Sequence, residues 1–231
     1  MSDKVEVQLE GFEEVERLLK YVDKDRVAKT TEVILNKTAG KMREAEKAEI
    51  NRVFDRPTPT TQNACWVDGA SAARGDLSAT VKLKDEFPGG TAPTDYLRHQ
   101  VTGGKRAAKP FERRLHRFGA MPDYMHAIPT EDAVFDRYGN VPQGQITKIL
   151  SGLQMIRESR SRKTQKYFVI PRVGIWEART NETVMIFAFH RRRNYTKRFD
   201  FYGVGEKAMN DNLIPIAEEA VDRVIKWQTG L

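Results

Sequence analysis

The sequence predicts an α+β fold: an antiparallel β-sheet packed by a long N-terminal helix and a C-terminal helix, with a basic helical and loop excursion in the middle. Three patterns predict it. Apolar residues recur at helical spacing through residues 25–53, alternate with polar ones through 64–84 and again beyond 167, and return to helical spacing near the C-terminus. With 231 residues, a single domain over 1–231 is the expected organisation, with 86–164 either inserted into it or forming a subdomain. No internal repeat interrupts this order.

Val5, Val7 and Leu9 alternate with polar neighbours up to Gly11, predicting a short strand. Phe12, Val15, Leu18, Leu19 and Val22 then fall on one helical face. A longer helix starts near Asp25, where Val27, Thr31, Leu35, Ala39, Met42, Ile50 and Val53 share a face. Gly40 weakens it by roughly 1 kcal/mol relative to alanine, and the prolines of "DRPTPTT" end it. "ACWV" and "DLSATVKLK" read as adjacent antiparallel strands, with Leu77, Ala79, Val81 and Leu83 facing inward. "FPGGTAP" is the exit from that sheet.

The middle of the chain holds a helix marked by Phe111, Leu115 and Phe118, an extended or irregular Pro-bounded "MPDYMHAIP", and a turn at "DRYGN". A short helix follows through Ile146, Ile149, Leu150 and Leu153, then "RESRSRKTQK", which lacks any apolar pattern and reads as mobile. Three strands are expected from "YFVIPRVGIWEA", "TVMIFAFH" and "TKRFDFYG", with a hairpin turn at Asn181. Ala217, Ala220, Val221, Val224 and Trp227 mark the final helix, which Pro215 starts or kinks.

Apolar residues make up 39% of the chain and charged ones 31%, with a formal net charge of +7. That balance permits an anionic partner without requiring one. Cys65 is the single cysteine. It excludes an intramolecular disulfide and a cysteine-based zinc cluster, and between Ala64 and Trp66 it reads as a small buried side chain. The first residues lack the apolar run of a secretion signal, and no apolar segment reaches about 18 residues. A soluble protein with no membrane contact is expected.

Catalytic patterns are weak. Gly103-Gly104-Lys105 is followed by Arg106 and lacks the glycine spacing of a phosphate loop. His99, His116, His126 and His190 have no metal-site spacing, and Asp123 with His126 is the only candidate dyad. Asp132 and Asp136 do not form a two-metal cluster, and no Gly-x-Ser-x-Gly elbow occurs. No enzyme activity and no cofactor are expected. The basic clusters carry more. Arg98, Lys105, Arg106, Lys109, Arg113, Arg114 and Arg117 surround one acid, Glu112; a second group is Arg157, Arg160, Arg162, Lys163 and Lys166. The third, Arg191, Arg192, Arg193, Lys197 and Arg198, is the candidate for phosphate contact, by displacing condensed counterions. The competing readings are a solvated surface or pairing with acids across a subunit boundary.

Tyr96-Leu97, Gln100-Val101, Gly103-Gly104, Arg106, Phe111-Glu112 and Leu115, followed by Asp136, Tyr138-Gly139-Asn140, Gln145-Ile146 and Ile149-Leu150, resemble the minor tail protein Z, or tail-completion, family of tailed phages and prophages. The specific part spans Tyr96 to Leu153. The order of long helix, sheet and C-terminal helix also looks like the wider group of phage head–tail joining proteins. Many of those read Thr-Gly-x-Leu after the long helix, where this chain has "RPTPTTQNACWV".

The resemblance implies a non-catalytic virion protein of the tail and neck, assembled in the host cytoplasm. It would complete the head-proximal end of the tail and help join tail to head, as a homo-oligomeric ring such as a hexamer around the DNA channel. Its implied partners are tail terminator or tail tube proteins, head-completion or connector proteins, and genomic DNA contacted non-specifically. Tyr96, Leu97, Phe111, Arg113, Arg114, Leu115 and Phe118 form the candidate docking segment, whose apolar face packs either within the subunit or against the next. The alternative function is a sequence-independent DNA-binding module.

Overall fold

A computed structural model describes residues 24–88, 90–155 and 166–229. The expected strand at Val5–Leu9, the helix from Phe12 and all of "RESRSRKTQK" except Lys166 lie outside the described residues, as does the side chain of Trp227. In chain order the elements are α1 Lys24–Val53, α2 Pro59–Gln62, β1 Cys65–Asp68, a 3₁₀ turn Ala72–Arg74, β2 Thr80–Leu83, α3 Pro93–Thr102, α4 Pro110–Arg117, β3 Met125–Pro129, α5 Gln143–Gly152, β4 Tyr167–Ile170, β5 Gly174–Ala178, β6 Thr183–Arg191 and α6 Phe201–Thr229. The fold is α+β, with antiparallel sheets and long helices at either end. It divides into two compact units, one of residues up to Thr102 together with Lys197 onward, the other Gly103–Thr196. The second unit overlaps the expected excursion over 86–164 but does not share its bounds. Its limits follow strand pairing, because β6 hydrogen-bonds to β3 on one side and β5 on the other.

In the first unit, α1 buries Ile34, Leu35, Thr38, Ala39, Met42, Glu46 and Ile50, a stripe recurring every three or four residues. That stripe lies along α6 in antiparallel sense. Ile34 meets Ala217 and Ala220, while Met42 and Glu46 meet the α6 segment at Gly205. Both helices pack on the two-stranded β1–β2 sheet, in a core that includes Val81, Leu83, Phe199 and Phe201. Asn36 ties α1 to the end of β1: its amide donates to Ala70 O at 3.0 Å, and its oxygen accepts from Ala70 N at 2.8 Å.

Two expectations fail here for local reasons. Leu77 is 43% exposed rather than inward, because Asp76 closes a loop onto Ser71 and accepts from Ser78, so β2 starts only at Thr80. "TKRFDFYG" is not a strand. Phe199 and Phe201 are both buried, but Asp200 between them accepts from Val204 N through its carbonyl, and helix α6 begins. Of the two positions open to Pro215, it takes the one inside α6. Helix α3 was not expected; Pro93 stands in its first turn, and Leu97 and Val101 share its buried face.

The second unit is a four-stranded antiparallel sheet ordered β3-β6-β5-β4, packed by α4 and α5. "YFVIPRVGIWEA", expected as one strand, folds back at Pro171–Val173 so that Ile170 pairs with Gly174. Arg172 takes φ 63°, and a Cβ on Gly174 would stand 2.2 Å from Phe187 O, so the second position admits only glycine. The second half of "MPDYMHAIP", Met125–Pro129, is β3, paired along its length with β6. Asp136 forms the "DRYGN" turn, its carboxylate accepting from Tyr138 N and Asn140 N, with Gly139 at φ 77°. Among the described residues no helix is long and apolar enough to cross a membrane.

Candidate functional site

The second unit is organised around Glu112, the lone acid of the first basic cluster. Pro110 starts α4, and Glu112 one turn in reaches back to accept from Lys109 N at 2.8 Å. Its carboxylate is fully buried. Arg106 grips it through both guanidinium branches, Nη1 to Oε2 at 2.7 Å and Nη2 to Oε1 at 2.6 Å. Ala127 N donates to Oε1 at 3.1 Å, and His126 Nδ1 lies 3.2 Å from Oε2. A carboxylate can only accept here, so Nδ1 carries the proton. Nε2 is left as a buried lone pair without a hydrogen-bond partner.

Burial alone would raise the Glu112 carboxyl, but the Arg106 bonds and the Lys109 amide outweigh it and hold it below the usual carboxylate range. Burial lowers His126, with Glu112 pulling the other way and Arg106 and Arg192 adding to the depression. At neutral pH the cluster is therefore an Arg⁺–Glu⁻ pair with a neutral imidazole attached.

Gly103 and Gly104, at φ 74° and 88°, turn the chain ahead of this cluster. Gly104 exchanges two backbone hydrogen bonds with Tyr195, whose hydroxyl accepts from Arg106 Nε at 3.2 Å. The glycine pair thus sets up Arg106. Asp123 and His126, the weak candidate dyad, do not meet: Asp123 is exposed, and the carboxylate against His126 is Glu112.

The candidate phosphate contacts divide between the units. Arg191 ends β6 opposite Met125 and is exposed, as is Arg193. Arg192 between them is half-buried, with its amide bonded to Tyr124 O at 3.0 Å and its Nε buried without a partner. Lys197 and Arg198 belong to the first unit. Lys197 pairs with Asp200 at 2.6 Å, and Arg198 donates to Val53 O at 3.0 Å, closing the C-terminus of α1. Lys166, the described member of the second basic cluster, pairs with Glu177 at 2.8 Å, which Arg179 also holds at 3.0 Å.

The docking segment divides as well. Tyr96 bonds Thr61 Oγ1 at 3.2 Å and Leu97 is in the core of the first unit. Phe111 and Leu115 are in the core of the second, with Phe111 against Phe187 at 5.1 Å between ring centroids. Their packing is within the chain. Phe118, expected on the same face, follows the end of α4 and is 51% exposed, beside exposed Arg113, Arg114 and Arg117. The sequence places Arg106 and Glu112 in one cluster but does not show their pairing, nor that Glu112 is the partner of His126. The signal was the solitary acid at the third position of a predicted helix.

Fold and site together define an α+β chain of two units whose second unit is built on an Arg–Glu–His cluster with a buried carboxylate and also exposes Arg113, Arg114, Arg117, Arg191 and Arg193. Compared with family models, curated proteins and solved structures, the chain has no significant match.

Proposed function

We propose that the chain is a structural virion protein that completes the head-proximal end of a phage tail and helps join it to the head, as a homo-oligomeric ring around the DNA channel. The observation that carries this reading is what the family-like residues do locally. Gly103-Gly104, Arg106, Glu112, and the Asp136–Asn140 turn each hold backbone or a buried charge in place, the work of a scaffold. Basic side chains at the surface, Arg113, Arg114, Arg117, Arg191 and Arg193, are exposed. Repetition about an axis would multiply that modest charge into a positive collar suited to passing DNA.

Arg191 and Arg193 changed together to Glu test this without burying a new charge at Arg192. The expected outcome is a folded protein, filled heads and finished tails that join poorly, and a reduced phage titre. An unchanged titre counts against the collar. The same exposed arginines favour a second reading, a sequence-independent DNA-binding module. A chain that stays monomeric, ignores tail tubes and binds duplex DNA with a steep salt dependence supports that instead.

A further inference from the structure

The two edges of the four-stranded sheet are treated differently. The register of β3 on β6 pairs His126 with His190 and Ile128 with Ala188. Flanking bonds from Arg192 N to Tyr124 O and from Thr130 N to Ile186 O continue the same alternation. The main-chain groups of Met125, Ala127 and Pro129 therefore point away from β6, to the outer edge. Every donor there is taken or missing. Met125 N bonds Pro122 O at 3.0 Å, Ala127 N bonds Glu112 Oε1 at 3.1 Å, and Pro129 has no N–H.

His116 Nε2 lies 3.2 Å from Met125 O, and a carbonyl only accepts, so the imidazole is the donor. Helix α4 thus offers β3 one acceptor and one donor, as a neighbouring strand would. Opposite, Ala178 N bonds Lys166 O toward β5, so Tyr167 and Val169 turn their main-chain groups outward. Those groups have no backbone partner among the described residues.

We propose that α4 is an edge plug: Glu112 and His116 stand in for a strand along β3 and stop it from pairing with β3 of a second copy, whereas β4 has no such plug among the described residues. An unplugged β3 would present the free Ala127 N–H that strand addition needs. Arg106 sets the plug by fixing the Glu112 carboxylate. The inference is independent of the tail reading, since it concerns one sheet edge.

Light scattering on the eluting protein, with infrared detection of intermolecular β-structure, tests it on the full chain. Glu112→Ala is expected to shift the mass distribution upward and add intermolecular β signal. Adding Ala127→Pro, which removes the edge donor at a position where an edge strand tolerates proline, is expected to restore the native distribution. If the double variant associates as strongly as the single one, the plug is overturned. His116→Ala serves if Glu112→Ala loses its native circular dichroism, because it leaves the buried charges paired. A smaller upward shift with added intermolecular β signal, through the acceptor freed at Met125 O, supports the proposal, and a distribution identical to the native one overturns it.

Discussion

Glu46 is 1% exposed on α1, and neither of its carboxylate oxygens makes a well-formed hydrogen bond, the Gly205 amide offering only a weak one. Burial, then repulsion from Glu49 and Asp200, pushes its pKa from 4.5 up to about 9. Between those values the folded chain keeps a proton that the unfolded chain releases. Its contribution to stability is therefore fully present below the lower value and is lost as pH rises through the higher one. Urea unfolding followed from about pH 5 to about pH 8 should show native stability falling with pH, and Glu46→Gln should remove most of that slope. The gap near neutrality is on the order of a few kcal/mol. Equal slopes in the two proteins would mean that Glu46 finds a partner or water. Nothing in the sequence marked Glu46, because it shares the buried stripe with Met42 and Ile50 while reading as one more charge on a charged helix. Glu112 was more legible, a lone acid among bases, yet its partners stand 6 and 14 positions away, and only the fold brings them together.

At the scale of elements, periodicity located α1, β1, α5 and β6, because each buries one side and carries its own rhythm. It failed where a single polar residue redirects the chain. Asp200 converts the alternation of Phe199 and Phe201 into a helix start, and the turn at Arg172 splits one apolar run into two strands. Helix α3 was missed because its ten residues hold few apolar positions, and they follow a Gly-Pro segment that read as loop. Gly40 gives a direct test of α1. A Cβ there would meet nothing within 4 Å, so Gly40→Ala should stabilise the protein by about 1 kcal/mol through backbone entropy alone. Denaturant unfolding at fixed pH measures it; a loss of stability would show that the helix needs glycine at this point.

At the scale of the molecule, the chain pairs two designs. One unit lays two long antiparallel helices on a small sheet, and the other clamps a four-stranded sheet with short helices and a buried ion pair. Apolar periodicity foretold the α+β class. It could not foretell two units, because the boundary at Gly103 and Thr196 is set by which strands pair, and strand partners are far apart in sequence. Basic residues grouped in one cluster by the sequence also have different uses: Arg106 and Arg198 hold the fold, while Arg113, Arg191 and Arg193 remain exposed.

Electron cryomicroscopy of intact particles, with this chain located by a fused tag, tests the central claim most directly. The account predicts several symmetry-related copies at the head-proximal end of the tail, ringed around the DNA path with Arg191 and Arg193 lining it. Particles that lack the chain, or carry it as a single copy away from the neck, would contradict it.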